Sequence, residues 1–300
     1  SYDVFIGYEA GAQTKGGTSV GIGRGAGRGS NGVTEYGGTS GSANTSVGYY
    51  AGNYNLGSHN TKIGKEAGFY ATGSHNTFVG SEAGKGGTTS APYSSGEQNV
   101  AVGAYALDAF TDGIRNVAIG YEALSTSTGA DYNQAIGYRA LYNVNTGGSN
   151  VAIGHEAGLQ LTSGGQNIAI GYHAGYNNQT GVYNVHIGYQ AGKGAASNSA
   201  NTNTFVGYKA GSDVSSGYSN VAIGGGALEN VTTGYDNVVV GNYAGSTLTT
   251  TNFVTLVGRM AGASINHTDA NHTVAVGYQA LHDLTSGQNS VAVGYRALAD

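Results

Sequence analysis

The 300-residue chain contains no cysteine and no tryptophan, one methionine and one proline. Without cysteine there are no disulfides, no thiolate zinc sites and no cysteine nucleophiles. A single proline beside 55 glycines excludes collagen, which needs both residues in abundance and glycine at every third position. Charge is scarce as well: 10 % of residues are charged and the net value is −5, so there is no basic footprint for nucleic acid or an anionic membrane. No run of about 18 apolar residues is present to span a membrane as a helix, and residues 1 to 20 lack a signal-peptide pattern. The chain starts almost inside its first repeat and stops just after its last, and is read as a portion of something longer.

What is present is repetition. The stretch Asn150-Val151-Ala152-Ile153-Gly154-His155-Glu156-Ala157-Gly158 recurs with its central glycine at 7, 23, 48, 64, 80, 103, 120, 137, 154, 171, 188, 207, 224, 241, 258, 277 and 294, giving seventeen copies. Most intervals are 16 or 17 residues. Longer ones fall at residues 27–43, 85–98, 195–202 and 264–272, always between units, as expected of lateral loops leaving the turns of a solenoid. No domain boundary interrupts the pattern, so residues 1–300 are read as a single repeat domain.

Within a copy, the residue before the glycine is always isoleucine or valine, and three before it stands valine or isoleucine in eleven copies and threonine in five. β-Branched residues at alternate positions mark a strand, and these two columns are assigned to the inside of the coil. The opposite strand face, two before the glycine, is apolar too: Ala101, Ala118, Ala135, Ala152, Ala169, Ala222, Ala275, Ala292, Phe5, Phe78 and Phe205 occupy it, and only Gly21, Ser46, Lys62 and His186 depart from apolar character. A strand apolar on both faces is covered on both, so this column is expected at a subunit interface. With the threonines placed inside, an ice-binding array, which needs them outside, is disfavoured.

Asparagine stands four before the glycine in twelve copies, and stacking predicts an amide ladder combined with a turn before each strand. Alanine stands three after the glycine in all seventeen, followed by glycine in eleven and leucine in six, marking a tight corner.

The segments Asn289-Ser290-Val291-Ala292-Val293-Gly294 and Asn116-Val117-Ala118-Ile119-Gly120 resemble the repeats of trimeric autotransporter adhesin heads of the YadA type. The tyrosine-containing extension Tyr121-Glu122-Ala123-Leu124 resembles phage tail-fibre repeats. The resemblance covers essentially the whole chain, although the periods are longer than the shortest adhesin-head repeats and no stalk, anchor or self-cleaving chaperone segment is present. It implies an all-β, parallel β-solenoid (a left-handed β-roll) of about 17 short coils, assembled as a parallel homotrimer and acting in extracellular attachment.

Chemistry-bearing clusters are few. His59 and His75 share one phase on adjacent coils without an evident third ligand, and His267, His272 and His282 read as loop residues, so no metal site and no cofactor are expected. The calcium-binding nonapeptide is absent, and Gly21-Ile22-Gly23-Arg24-Gly25-Ala26-Gly27 is one glycine-rich copy rather than a phosphate loop. Glu9, Glu66, Glu82, Glu122 and Glu156 share one phase and read as a solvated edge, so no enzyme is expected. Tyr8, Tyr49, Tyr121, Tyr138, Tyr172, Tyr189, Tyr208, Tyr278 and Tyr295 follow the glycine. They form either a ligand-binding stripe or packing between coils or subunits, the latter being favoured. The function expected is an extracellular fibre segment, phage-type tail fibre before bacterial adhesin head, recognising a surface glycan or protein receptor on a virion fibre or cell surface. The alternative is a structural spacer or self-assembling filament without a specific ligand. No nucleic-acid partner and no membrane insertion are expected.

Overall fold

The computed structural model describes residues 2–14, 17–29, 41–87, 93–196, 198–265, 270–283 and 289–299. It is all-β, a parallel β-solenoid of seventeen three-residue strands. The chain forms two compact units, Ser1–Ser149 and Asn150–Asp300. The first holds eight strands, from β1 (Val4–Ile6) to β8 (Gln134–Ile136), and the second nine, from β9 (Val151–Ile153) to β17 (Val291–Val293). No helix among the described residues is long and apolar enough to cross a membrane.

Within each unit every strand pairs in parallel with the next, residue for residue, as in Val117↔Gln134, Ala118↔Ala135 and Ile119↔Ile136, or Thr204↔Val221, Phe205↔Ala222 and Val206↔Ile223. The long interval before Gly103 does not slip the register: Phe78 still faces Ala101. Residues 30–40 of loop 27–43, residues 88–92 of loop 85–98, with Pro92, and residues 266–269 of loop 264–272, with His267, lie outside the described residues.

Each strand ends at its central glycine, whose φ lies between 125° and 143° in all copies. A side chain is excluded there twice over, since a Cβ on Gly120 would also sit 2.4 Å from the carbonyl oxygen of Gly137 in the next coil. The glycine carbonyl then accepts a hydrogen bond from the invariant alanine three residues on, for example Ala123 N–H to Gly120 O at 3.4 Å. This closes the corner.

The asparagines form the expected ladder. In the first unit Asn116 N–H donates to Asn99 Oδ1 at 2.9 Å and Asn133 N–H to Asn116 Oδ1 at 2.9 Å, while each side-chain Nδ2 reaches a carbonyl across the coil, as Asn116 does to Ala130 O at 2.7 Å. The second unit repeats this through Asn150, Asn167, Asn184, Asn203, Asn220 and Asn237. These side chains are buried, and every rung satisfies a backbone donor that would otherwise be buried without a partner.

The two strand faces are the reverse of the sequence expectation. The middle residue of each strand points into its own coil: Ala101, Ala118, Ala135, Ala152, Ala222, Ala275, Phe78 and Phe205 are wholly buried within the single chain, and Ala169 and Ala292 nearly so. Phe5 is half-buried, and a Cβ on Gly11 would meet its ring at 2.4 Å. The buried members of this column therefore cannot form a subunit interface. The flanking valines and isoleucines face outward instead, with Ile119 38 % and Ile223 42 % exposed. Thr45, Thr61, Thr77, Thr204 and Thr255 share that outer face.

Volume explains the inversion. A coil of about 17 residues encloses little space, and interiors are filled to crystal-like density. All six leucines in the position after the corner alanine, at 107, 124, 141, 228, 281 and 298, belong to coils whose inward strand residue is alanine. Where that strand residue is large, the corner position is glycine: Phe78 with Gly84, His186 with Gly192, Phe205 with Gly211, Leu256 with Gly262. The pairs touch, since a Cβ on Gly84 or Gly211 would lie 2.4 or 2.5 Å from the phenylalanine ring. A further inward column stands seven after the glycine, where Phe110, Val144, Leu161, Val214, Val231, Leu248 and Ile265 are buried.

Candidate functional site

The outward surface carries two features in parallel. One is the pair of valine/isoleucine columns, left without protein cover: Ile22, Ile63, Val102, Ile119 and Ile136 in the first unit and Ile153, Ile168, Ile223, Val238 and Val257 in the second are exposed. Contiguous apolar surface of this kind marks an interaction site.

The other is the tyrosine column beside it. Tyr8, Tyr49, Tyr121, Tyr138, Tyr172, Tyr189, Tyr208 and Tyr295 are exposed and Tyr278 is half-buried. Their rings stack from coil to coil at strand spacing: Tyr121 on Tyr138 at 5.6 Å and 9°, Tyr172 on Tyr189 at 5.2 Å and 8°, Tyr189 on Tyr208 at 5.3 Å and 10°, and Tyr278 on Tyr295 at 5.3 Å and 10°. The two readings are thus compatible for these seven tyrosines, because the stacked rings still present an edge and hydroxyl to solvent.

The glutamates two after the glycine are paired rather than freely solvated. That position is left-handed in every copy, with φ from 49° to 65°, which sets successive side chains side by side. Lys85 Nζ lies 2.8 Å from Glu66 Oε2 and 2.9 Å from Glu82 Oε2, and the hydrogen bond from Lys85 holds the Glu82 carboxyl below its ordinary value. Glu9 pairs with Arg28 at 3.2 Å and Glu122 with Arg139 at 2.9 Å. These contacts are partly exposed and contribute little stability each.

Two ionisable groups lie inside the coils. Lys62 is wholly buried, donates to Ala71 O at 2.8 Å and Asn55 Oδ1 at 3.2 Å, and burial pulls its amine down to about 7. His186 stacks on Phe205 at 5.5 Å, its Nε2 has no hydrogen-bond partner, and burial pulls it down to about 4. Both stand in the inward strand column as space-filling groups.

His59 and His75 stack in parallel at 4.9 Å and 2° and form no three-ligand group among the described residues, while His272 stacks on Phe253 at 5.1 Å and His282 Nδ1 contacts Asp283 Oδ1 at 2.7 Å. The cluster absent from the sequence reading is His155, Glu156 and His173, whose possible ligand atoms all lie within 4.8 Å of one another. Its members come from two consecutive coils and occupy two repeat phases, so a search within one phase passes over them. The usable signal is that histidine stands at 155, where tyrosine is the commonest residue, and at 173, where no other copy has histidine, on consecutive coils.

Fold and surface together define a parallel β-solenoid with an uncovered apolar face and an aromatic ladder. No protein-family model, curated protein or solved structure matches the chain.

Proposed function

We propose that the chain is a segment of an extracellular attachment fibre, a left-handed β-roll assembled side by side with two further copies of itself as a parallel homotrimer. It works by binding, not catalysis. The observation that carries this reading is the continuous outward face of valine and isoleucine in each unit. Burying β-branched side chains gains about 25 cal/mol per Å² of apolar surface, and a second copy of the same regular face fits it in register at every coil. The tyrosine ladder and lateral loops then supply the contact with a surface glycan or protein receptor, because rigid aromatic edges offer area and hydroxyls at low entropic cost. The tyrosine-rich repeat favours a phage-type fibre over a bacterial adhesin head.

The test is a screen of the whole chain against a glycan array and against bacterial and animal cells, alongside the triple variant Tyr172→Ser, Tyr189→Ser and Tyr208→Ser. Saturable binding that the variant loses supports the attachment reading. Absence of binding to every surface overturns it in favour of a structural spacer.

A further inference from the structure

His155 and Glu156 follow β9, and His173 follows β10 (Ile168–Ile170) one coil along in the same unit. The backbone locks their spacing, because His173 N–H donates to His155 O at 3.0 Å. Glu156 and His173 both adopt left-handed backbone, with φ of 52° and 53°, so their side chains leave the two coils in the same direction. Tyr172 packs against both imidazoles, stacked on His155 at 5.1 Å and on His173 at 3.9 Å, while the imidazoles themselves lie 5.8 Å apart.

His173 Nε2 lies 2.9 Å from Glu156 Oε2, and His155 Nδ1 lies 3.9 Å from the same oxygen. The first contact is a short imidazole–carboxylate pairing, and His173 Nε2 is buried within it. With the Nε2 proton displaced by an ion, this nitrogen and the carboxylate oxygen present lone pairs to the same space. In a tetrahedral zinc site with bonds near 2.0 to 2.1 Å, ligand atoms are about 3.3 Å apart. The two observed separations straddle that value.

We propose that His155, Glu156 and His173 form a site for a divalent first-row transition ion, for which zinc is the best match. Two imidazoles and one carboxylate are borderline nitrogen and oxygen ligands, which select zinc, cobalt, nickel or copper over calcium and magnesium. The side chain of His155 is 47 % exposed, so the ion enters from solvent and keeps water in its remaining position. Because the ligands come from consecutive coils, the bound ion clips one coil to the next. Three protein ligands and an open position set the site below a closed four-ligand structural zinc site in affinity. The proposal stands independently of the attachment reading.

The test uses the metal-stripped whole chain, titrated with Zn²⁺ by calorimetry and with Co²⁺ by visible absorption, before and after the substitutions His155→Tyr and His173→Gln. These are the residues that the repeat itself carries at matching places in Tyr172 and Gln190, so the fold is retained. Glu156→Gln is a second, nearly isosteric variant. The expected result is a single saturable site, ligand-field absorption of histidine-bound cobalt and a raised Tm with Zn²⁺. The double histidine variant should bind at least about tenfold more weakly, and a His59→Ala, His75→Ala control should bind like the parent chain. Absence of saturable binding below about 1 mM Zn²⁺, or binding that survives both His155→Tyr and His173→Gln, overturns the proposal.

Discussion

Two neighbouring coils of the second unit solve one packing problem in opposite ways. In the coil of β12 (Thr204–Val206), Phe205 fills the interior and faces Gly211. In the next, built on β13 (Val221–Ile223), Ala222 leaves the space and Leu228 fills it from the corner. The strands still pair residue for residue. The interior is therefore a fixed volume that either side of the coil can fill, and identity at one position constrains the other. On the outer face no such constraint acts, and valine, isoleucine and threonine exchange freely along the same column.

The largest expected effect comes from emptying the filled coil. Phe205→Ala should destabilise the chain by about 3 to 5 kcal/mol in thermal or denaturant unfolding, as for other buried aromatic deletions. Adding Gly211→Leu to it should restore much of that loss, because the double variant recreates the Ala222 and Leu228 arrangement. Gly211→Leu alone overpacks the coil and should cost about 1 to 3 kcal/mol. A double-mutant cycle showing additivity would break the comparison.

Buried ionisable groups sharpen it next. Lys62 has a folded-state value of about 7 against an ordinary 10.5, so between those values the unfolded chain binds the proton that the folded chain rejects. Stability should rise as pH increases from 7 toward 10.5, and Lys62→Met should raise Tm at neutral pH and flatten the rise. His186 has the same sign in a lower window: with a folded value of about 4 against 6.5, stability is lost as pH falls from 6.5 toward 4. Replacing it with phenylalanine, the residue at 205 in the adjoining coil, should remove that loss in a pH series of melting curves. The smallest effect belongs to the outer face: in a dissociated chain, Val206→Ala should change stability by less than about 1 kcal/mol, against the much larger loss for its neighbour Phe205.

Much of the fold was legible in the sequence. The strand residues, the glycine that ends each strand, the corner alanine and the asparagine ladder all followed from type and spacing. Which strand face lies inside did not, because alternation gives two phases without saying which is inner when both are apolar. Hydrophobicity pointed to isoleucine, while the narrow coil selects alanine by size. The sequence did hold the answer in Phe205 with Gly211 and Ala222 with Leu228, whose compensating sizes require the two positions to touch. At the candidate metal site, His155 and His173 belong to different phases one coil apart, and only the left-handed backbone at Glu156 and His173 brings all three side chains together.

The central claim is that the outward valine and isoleucine columns, and not the alanine column, are the surface through which copies of the chain assemble. Sedimentation equilibrium at micromolar concentration tests it most directly, on the parent chain and on the double variant Ile119→Lys and Ile136→Lys. The account predicts a mass three times the 30.1 kDa of one chain for the parent and a shift toward a single chain, with unchanged circular dichroism, for the variant. A parent chain that sediments at 30.1 kDa throughout, or a variant that keeps the parent's assembled mass, would contradict it.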